Sequence, residues 1–130
     1  MEDRVAFIAH QGHQILLIDF SHCSGKEIQP LLERIRYVVA RHERGSVLTL
    51  ADLREAHIDR ETAMKIKETL VLDRPFVKRS AWVGAESLPK AYIDNFRSFS
   101  QRDFHQFATR EEAMDWLVSE NNDTPQPATP

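Results

Sequence analysis

The stretch Leu48–Leu70, LTLADLREAHIDRETAMKIKETL, decides how this chain is read. An apolar, β-favouring run stops at Asp52, a charged segment follows, and from Asp59 the residues Ala63, Ile66 and Leu70 recur at helical spacing. A strand therefore runs into a helix across a short polar junction. Asp59 is a natural N-cap, and Glu61 complements the positive end of the helix dipole. Ser46–Ala51 shows little alternation between apolar and polar residues, so the strand is expected to be buried on both faces, as in a parallel sheet.

The same pattern extends in both directions. Val5–Ala9 and Ile15–Ile18 are short apolar runs separated by the polar loop His10-Gln-Gly-His-Gln14, which predicts an antiparallel hairpin. From Lys26, the residues Ile28, Leu31, Leu32, Ile35, Val38 and Val39 mark one helical face, preceded by the capping pair Ser24 and Glu27 and ended by Gly45. The helix opened by Asp59 must stop near Arg74–Pro75, because the residue before a proline avoids the α conformation. Val77–Gly84 predicts a fourth strand centred on Ser80–Val83, and Pro89 opens a third helix with Tyr92, Phe96 and Phe99 on one face. Phe104–Phe107 reads as a short last strand. Thr109–Glu112 is a second capping box, leading a helix with Ala113, Trp116 and Leu117 inward.

The expected order is β-β-α-β-α-β-α-β-α. That is one α/β domain over residues 1–120, with a mostly parallel central sheet of about five strands begun by a hairpin and about four flanking helices. Residues 121–130 hold three prolines and no large apolar residue, and are expected to form a disordered tail.

Composition removes several classes of function. Lys and Arg total 17 against 20 Asp and Glu, so no overall positive charge draws the chain to nucleic acid or to an anionic membrane. No apolar run approaches the roughly 20 residues that cross a bilayer. A single cysteine, Cys23, excludes an internal disulfide framework, and no leader-like segment is present, so a cytoplasmic location is expected. His10 and His13 lack a third ligand nearby and read as a turn pair, not a metal site. His22 beside Cys23 lacks an oxyanion hole, and neither GxxxxGK[ST] nor GxGxxG occurs; no cofactor, metal or catalytic role is expected.

His10-Gln-Gly-His with Ile15–Asp19, Val47-Leu-Thr-Leu-Ala-Asp-Leu53 leading to Asp59, Val77–Gly84 and Phe107–Leu117 together resemble the STAS-like proteins grouped with anti-sigma-factor antagonists, a branch related to the CRAL-TRIO lipid-transfer fold. The resemblance covers the chain to about Glu120. It implies a bacterial-type, non-enzymatic signalling or protein-binding module. In the antagonists an Asp-Ser-Ser-Gly segment opens the helix after the third strand, and its first serine is phosphorylated. Here Asp59 matches the aspartate, but Arg60, Glu61 and Thr62 stand where Ser, Ser and Gly would be, so the resemblance does not carry the phosphoswitch with it.

Two surfaces remain as candidates. The first is the junction, where Asp52, Arg54, His57, Asp59, Arg60 and Glu61 would form the polar rim of a protein-partner contact. On the plainest reading of the same residues, Asp59 caps the helix, while Asp52, Arg54 and Glu55 are solvated loop charges. The second is the third helix, whose Tyr92, Phe96 and Phe99 are core by default. As an alternative they line an apolar groove for a small lipid-like ligand, or form a homodimer patch.

Overall fold

The computed structural model describes residues 4–100 and 104–119. The opening hairpin pairs β1 (Val5–His10) with β2 (His13–Asp19), and the chain reverses at Gln11 and Gly12, with φ of 51° and 82°. Two left-handed residues in succession match the right-handed twist of the flanking strands, and glycine in the second place suits that geometry. Helix α1 (Gly25–Val39) starts at Ser24, whose N–H donates to Glu27 Oε1 at 2.8 Å. Strand β3 (Val47–Asp52), helix α2 (Arg60–Asp73), strand β4 (Val77–Val83), helix α3 (Lys90–Ser100), strand β5 (His105–Phe107) and helix α4 (Arg110–Val118) follow.

The strands lie in chain order, β1-β2-β3-β4-β5, antiparallel for the first pair and parallel for the rest. Sequential parallel strands joined by right-handed crossovers must carry every crossover helix on one face. Accordingly α1, α2 and α3 cover one side of the sheet, over a core that includes Leu16, Ile28, Ile35, Ile66, Trp82, Phe96 and Phe104. Among the described residues helix α4 alone covers the other side, where Ala113 and Leu117 meet Ile15, Leu48, Leu50, Ala81 and Val83. Every residue of β3 is buried, as its lack of alternation predicts.

Three expectations need correction or refinement. β3 extends one residue further than read, so Asp52 is its last residue and not the first of a loop. The buried stripe of α3 is Ile93, Phe96 and Ser100; Tyr92 is half-buried and Phe99, on the flank of that stripe, is 56 % exposed beneath the Lys67 ammonium of α2. On α4 the buried side is Ala113, Leu117 and Val118, whereas Trp116 is half-buried against the rings of His105 and Phe107. The expected tail lies outside the described residues.

Candidate functional site

Side chains alternate along a strand, and this alternation places the two carboxylates that end β2 and β3. Leu48 and Leu50 face α4, so Asp52 continues their row; Ile15, Leu17 and Asp19 form the matching row on β2. Asp19 and Asp52 are strand partners in register, and Asp52 in turn pairs with Val83. The carboxylates thus sit at the carboxyl end of the parallel strands, on the face that α4 covers.

Three arginines hold them there. Arg54 binds Asp52 through Nε, 3.0 Å from Oδ1, and Nη2, 2.7 Å from Oδ2, while its backbone N–H donates to Oδ1 at 3.1 Å. Arg110, the first residue of α4, donates from Nε to Asp52 Oδ2 at 2.8 Å and brings Nη2 within 3.4 Å of Asp19 Oδ1. Arg4 lies 3.6 Å from Asp19 Oδ1 and also donates to the carbonyls of Asp19 and Ser21. The Asp52 side chain is wholly buried, so it is not the solvated loop charge that sequence suggests. Burial alone would push its carboxyl up; hydrogen bonds from Arg54 and Arg110 outweigh that and hold it below the ordinary carboxylate value. A cation at a helix N-terminus is unfavourable, so the paired carboxylates also offset the placement of Arg110.

Above this cluster the main-chain ladder continues into the loops. Phe20 N–H donates to the Asp52 carbonyl, Leu53 N–H to Val83, His22 N–H to Arg54 and His57 N–H to Cys23, at 2.7–2.9 Å. The loops after β2, β3 and β4 are therefore one stitched platform. Gly84 closes it, because its φ is 77° and a Cβ there would press into the Arg54 backbone at 2.8 Å. His22 and Glu55, both exposed, are also held at positive φ, 60° and 59°.

The platform ends in a cleft of about 450 Å³ between the starts of α1, α2 and α3, lined by Ser24, Gly25, His57, Ile58, Asp59 and Ser87 among others. Asp59 caps α2 as predicted: Thr62 N–H donates to its Oδ1 at 2.8 Å, and the hydrogen bonds from Thr62 hold its carboxyl below the ordinary value. Thr62 itself is fully buried and packs against Gly25, 3.4 Å from the Gln29 amide, which closes it to a modifying enzyme in the folded state. His57, Arg60 and Glu61 are exposed.

The candidate residues therefore separate into two groups. Asp52 and Arg54 belong to the cluster shared with Asp19 and Arg110, while His57, Asp59, Arg60 and Glu61 belong to the cleft and the start of α2. Sequence reasoning missed Arg110 and Arg4. No local signal marks them, although the period-two row through Leu48 and Leu50 was enough to bury Asp52.

Cys23 is fully buried, and burial foremost pushes its thiol up, opposite to the shift that makes a nucleophile. His10 and His13 are cross-strand partners, and His10 Nε2 lies 2.8 Å from Asp115 Oδ1 of α4. Between the sheet and α1, α2 and α3 there is an apolar-lined cavity of about 50 Å³, which Phe96 borders and Tyr92 and Phe99 do not.

No protein-family model matches the sequence, and no match is found among curated proteins. Among solved structures the chain is similar to an uncharacterized protein of the DUF3478 family with a SpoIIAA-like fold from Shewanella loihica PV-4. The TM-score is 0.66 and the sequence identity 16 %, over 88 % of this chain and 92 % of that one. The chain has the SpoIIAA-like, that is STAS-like, fold.

Proposed function

We propose that the chain is a non-catalytic regulatory or protein-interaction module that presents the platform after β2, β3 and β4 to a protein partner. One observation carries this reading: the buried Asp52 is consumed by Arg54 and Arg110, so the strongest charges at this edge hold the loops in place and are not available for proton transfer. A catalytic role needs two groups poised in an open cleft. Asp19 and Asp52 do converge, but both are taken up as anchors for arginines. What the platform offers to solvent is a rigid rim of Arg54, His57, Arg60 and Glu61 beside a cleft, the chemistry of a polar protein contact.

The lipid-carrier reading has less support, because small-molecule sites occupy roughly 300–1,000 Å³ and the apolar-lined cavity between the sheet and the helices is about 50 Å³. A burial-sealed Thr62 supports a contact that does not depend on phosphorylation in the first turn of α2.

The test is a quantitative pull-down from extract of the native host, with the wild type and Arg60→Glu immobilised in parallel. A protein retained by the wild type and depleted on the variant supports the proposal. Equal recovery on both, or turnover of a small substrate by the purified chain, would sink it.

A further inference from the structure

We infer that the seam between α2 and α3 is a docking surface for an acidic, amphipathic helix of a protein partner. α2 is the middle helix of its layer, packed between α1 and α3. Lys67 marks the seam, because its ammonium lies 4.7 Å over the ring of Phe99 on α3. Met64 and Val71, three residues before Lys67 and four after it, share its side of α2. Among the described residues five large apolar side chains are exposed, and three of them gather here: Met64 at 56 %, Val71 at 38 % and Phe99 at 56 %.

The charge on this strip is of one sign. Arg60, Lys67 and Arg74 recur every seven residues, two helical turns, and Arg74 keeps helical dihedrals at the C-cap. Among the described residues none of the three is paired with a carboxylate. The acids of the two helices turn elsewhere. Glu68 lines the groove shared with α1, with Glu61 seven residues earlier on the same row. Asp94 pairs with Lys90 on the side of α3 that borders Gln106 of β5. In a chain of net charge −3, a line of three cations beside exposed apolar groups is a local reversal.

Charge and spacing select the occupant. A partner rich in carboxylates meets three cations, whereas a basic one is repelled. The row repeats at about 10.5 Å, two turns of an α-helix. A partner helix matches that repeat, while an extended strand, whose same-face side chains recur at about 6.8 Å, falls out of step. The neighbouring row of Glu61 and Glu68 opposes an anionic membrane, which presents its charge over a plane and not along one line. Lys67 also holds the Phe99 ring in place, so less freedom is lost when a partner covers it. Arg60 adjoins the platform, but Lys67, Val71 and Phe99 lie two turns or more below it, so the inference does not rest on the function proposed above.

The test is a titration of the isotope-labelled full chain with a synthetic helical peptide of about four turns, in which leucine and glutamate each repeat at seven-residue spacing. Amide shifts are expected at Met64, Lys67, Val71 and Phe99, with an affinity that falls as salt rises. Lys67→Glu should weaken binding at least tenfold. Lys65→Glu, the same change of charge on the α1 side of α2, should leave it within twofold. Should Lys67→Glu fail to fold, Phe99→Ala removes an exposed ring and should also weaken binding at least tenfold. No saturable binding, equal binding of the counterpart peptide with lysine for glutamate, or shifts centred away from the seam would overturn the inference. So would tighter binding to phosphatidylglycerol vesicles that the same variants abolish, which assigns the strip to a membrane, or self-association of the free chain through it, which assigns it to a second copy.

Discussion

Asp52 and Asp59 stand at the two ends of the short connection between β3 and α2 and look alike in sequence, yet they work in opposite settings. Asp52, at the root, is wholly buried and answers to two guanidiniums from different parts of the chain. Asp59, at the tip, is exposed and answers to the backbone N–H of Thr62, three residues on. The root ties the sheet, the loop and α4 into one body, while the tip starts a helix and leaves its neighbours Arg60 and Glu61 in solvent. A single polar junction thus divides into a part that holds the fold and a part that displays a surface.

The comparison breaks most sharply at the root. Asp52→Ala removes the buried carboxylate that anchors the partly exposed Arg54 and Arg110, leaving Asp19 as the remaining partner of Arg110, and should cost about 3 kcal/mol in chemical denaturation. The folded Asp52 carboxyl titrates below its ordinary value of 3.8. Its contribution is therefore fully present above about pH 4 and is lost as pH falls through the depressed folded value. Asp59 and Glu27 shift in the same direction but are present in both proteins, so they cancel in the difference. The stability gap between wild type and Asp52→Ala should accordingly narrow below about pH 4. A gap that stays constant through the acid range would mean that packing, not charge, makes the root.

Gly84→Ala tests the same root from the neighbouring strand. The added Cβ meets the Arg54 backbone at 2.8 Å and the residue must keep φ near 77°. A loss of about 2–3 kcal/mol is expected. If Arg54 is held mainly by Asp52 and not by this close approach, the loss should instead fall to about 1 kcal/mol, the lower end of the cost of an alanine at positive φ without a clash.

At the tip the effects shrink. Asp59→Ala removes one helix cap, and a fall in Tm of roughly 3–5 °C is expected. Differential scanning calorimetry reads it directly, and a fall as large as that of Asp52→Ala would erase the distinction between root and tip.

The unequal legibility of the two parts has a physical cause. Capping is local: Asp59, Glu61 and the helical stripe Ala63, Ile66 and Leu70 lie within one segment, and the structure starts α2 where that segment says. The order of strands and helices was legible for the same reason, since periodicity and turn chemistry are short-range. The Asp52 network is not local, because Arg110 is far along the chain and reaches Asp52 only once α4 has packed on the Ile15, Leu48 and Leu50 face. Phe99 was misplaced by a subtler effect. Its helical phase lies near that of Tyr92, but the stripe that packs is Ile93, Phe96 and Ser100, so the aromatic at the flank of the stripe remains outside.

The smallest expected change in stability belongs to Arg60→Glu, and for that reason it is the most informative about function. Arg60 is exposed in the first turn of α2, where an acid suits the helix dipole but adds repulsion from Asp59 and Glu61. These terms oppose each other, so unfolding free energy should stay within about 0.5 kcal/mol of the wild type. The charge presented by the rim reverses all the same. A partner that reads this rim should bind at least tenfold more weakly by calorimetry, and Asp59→Ala, compared below its melting transition, should retain most of the affinity. Were Asp59→Ala to lose binding while Arg60→Glu kept it, the contact would depend on the start of the helix and not on the charges around it, and the displayed surface would have to be sought across the cleft at Ser24 and Ser87.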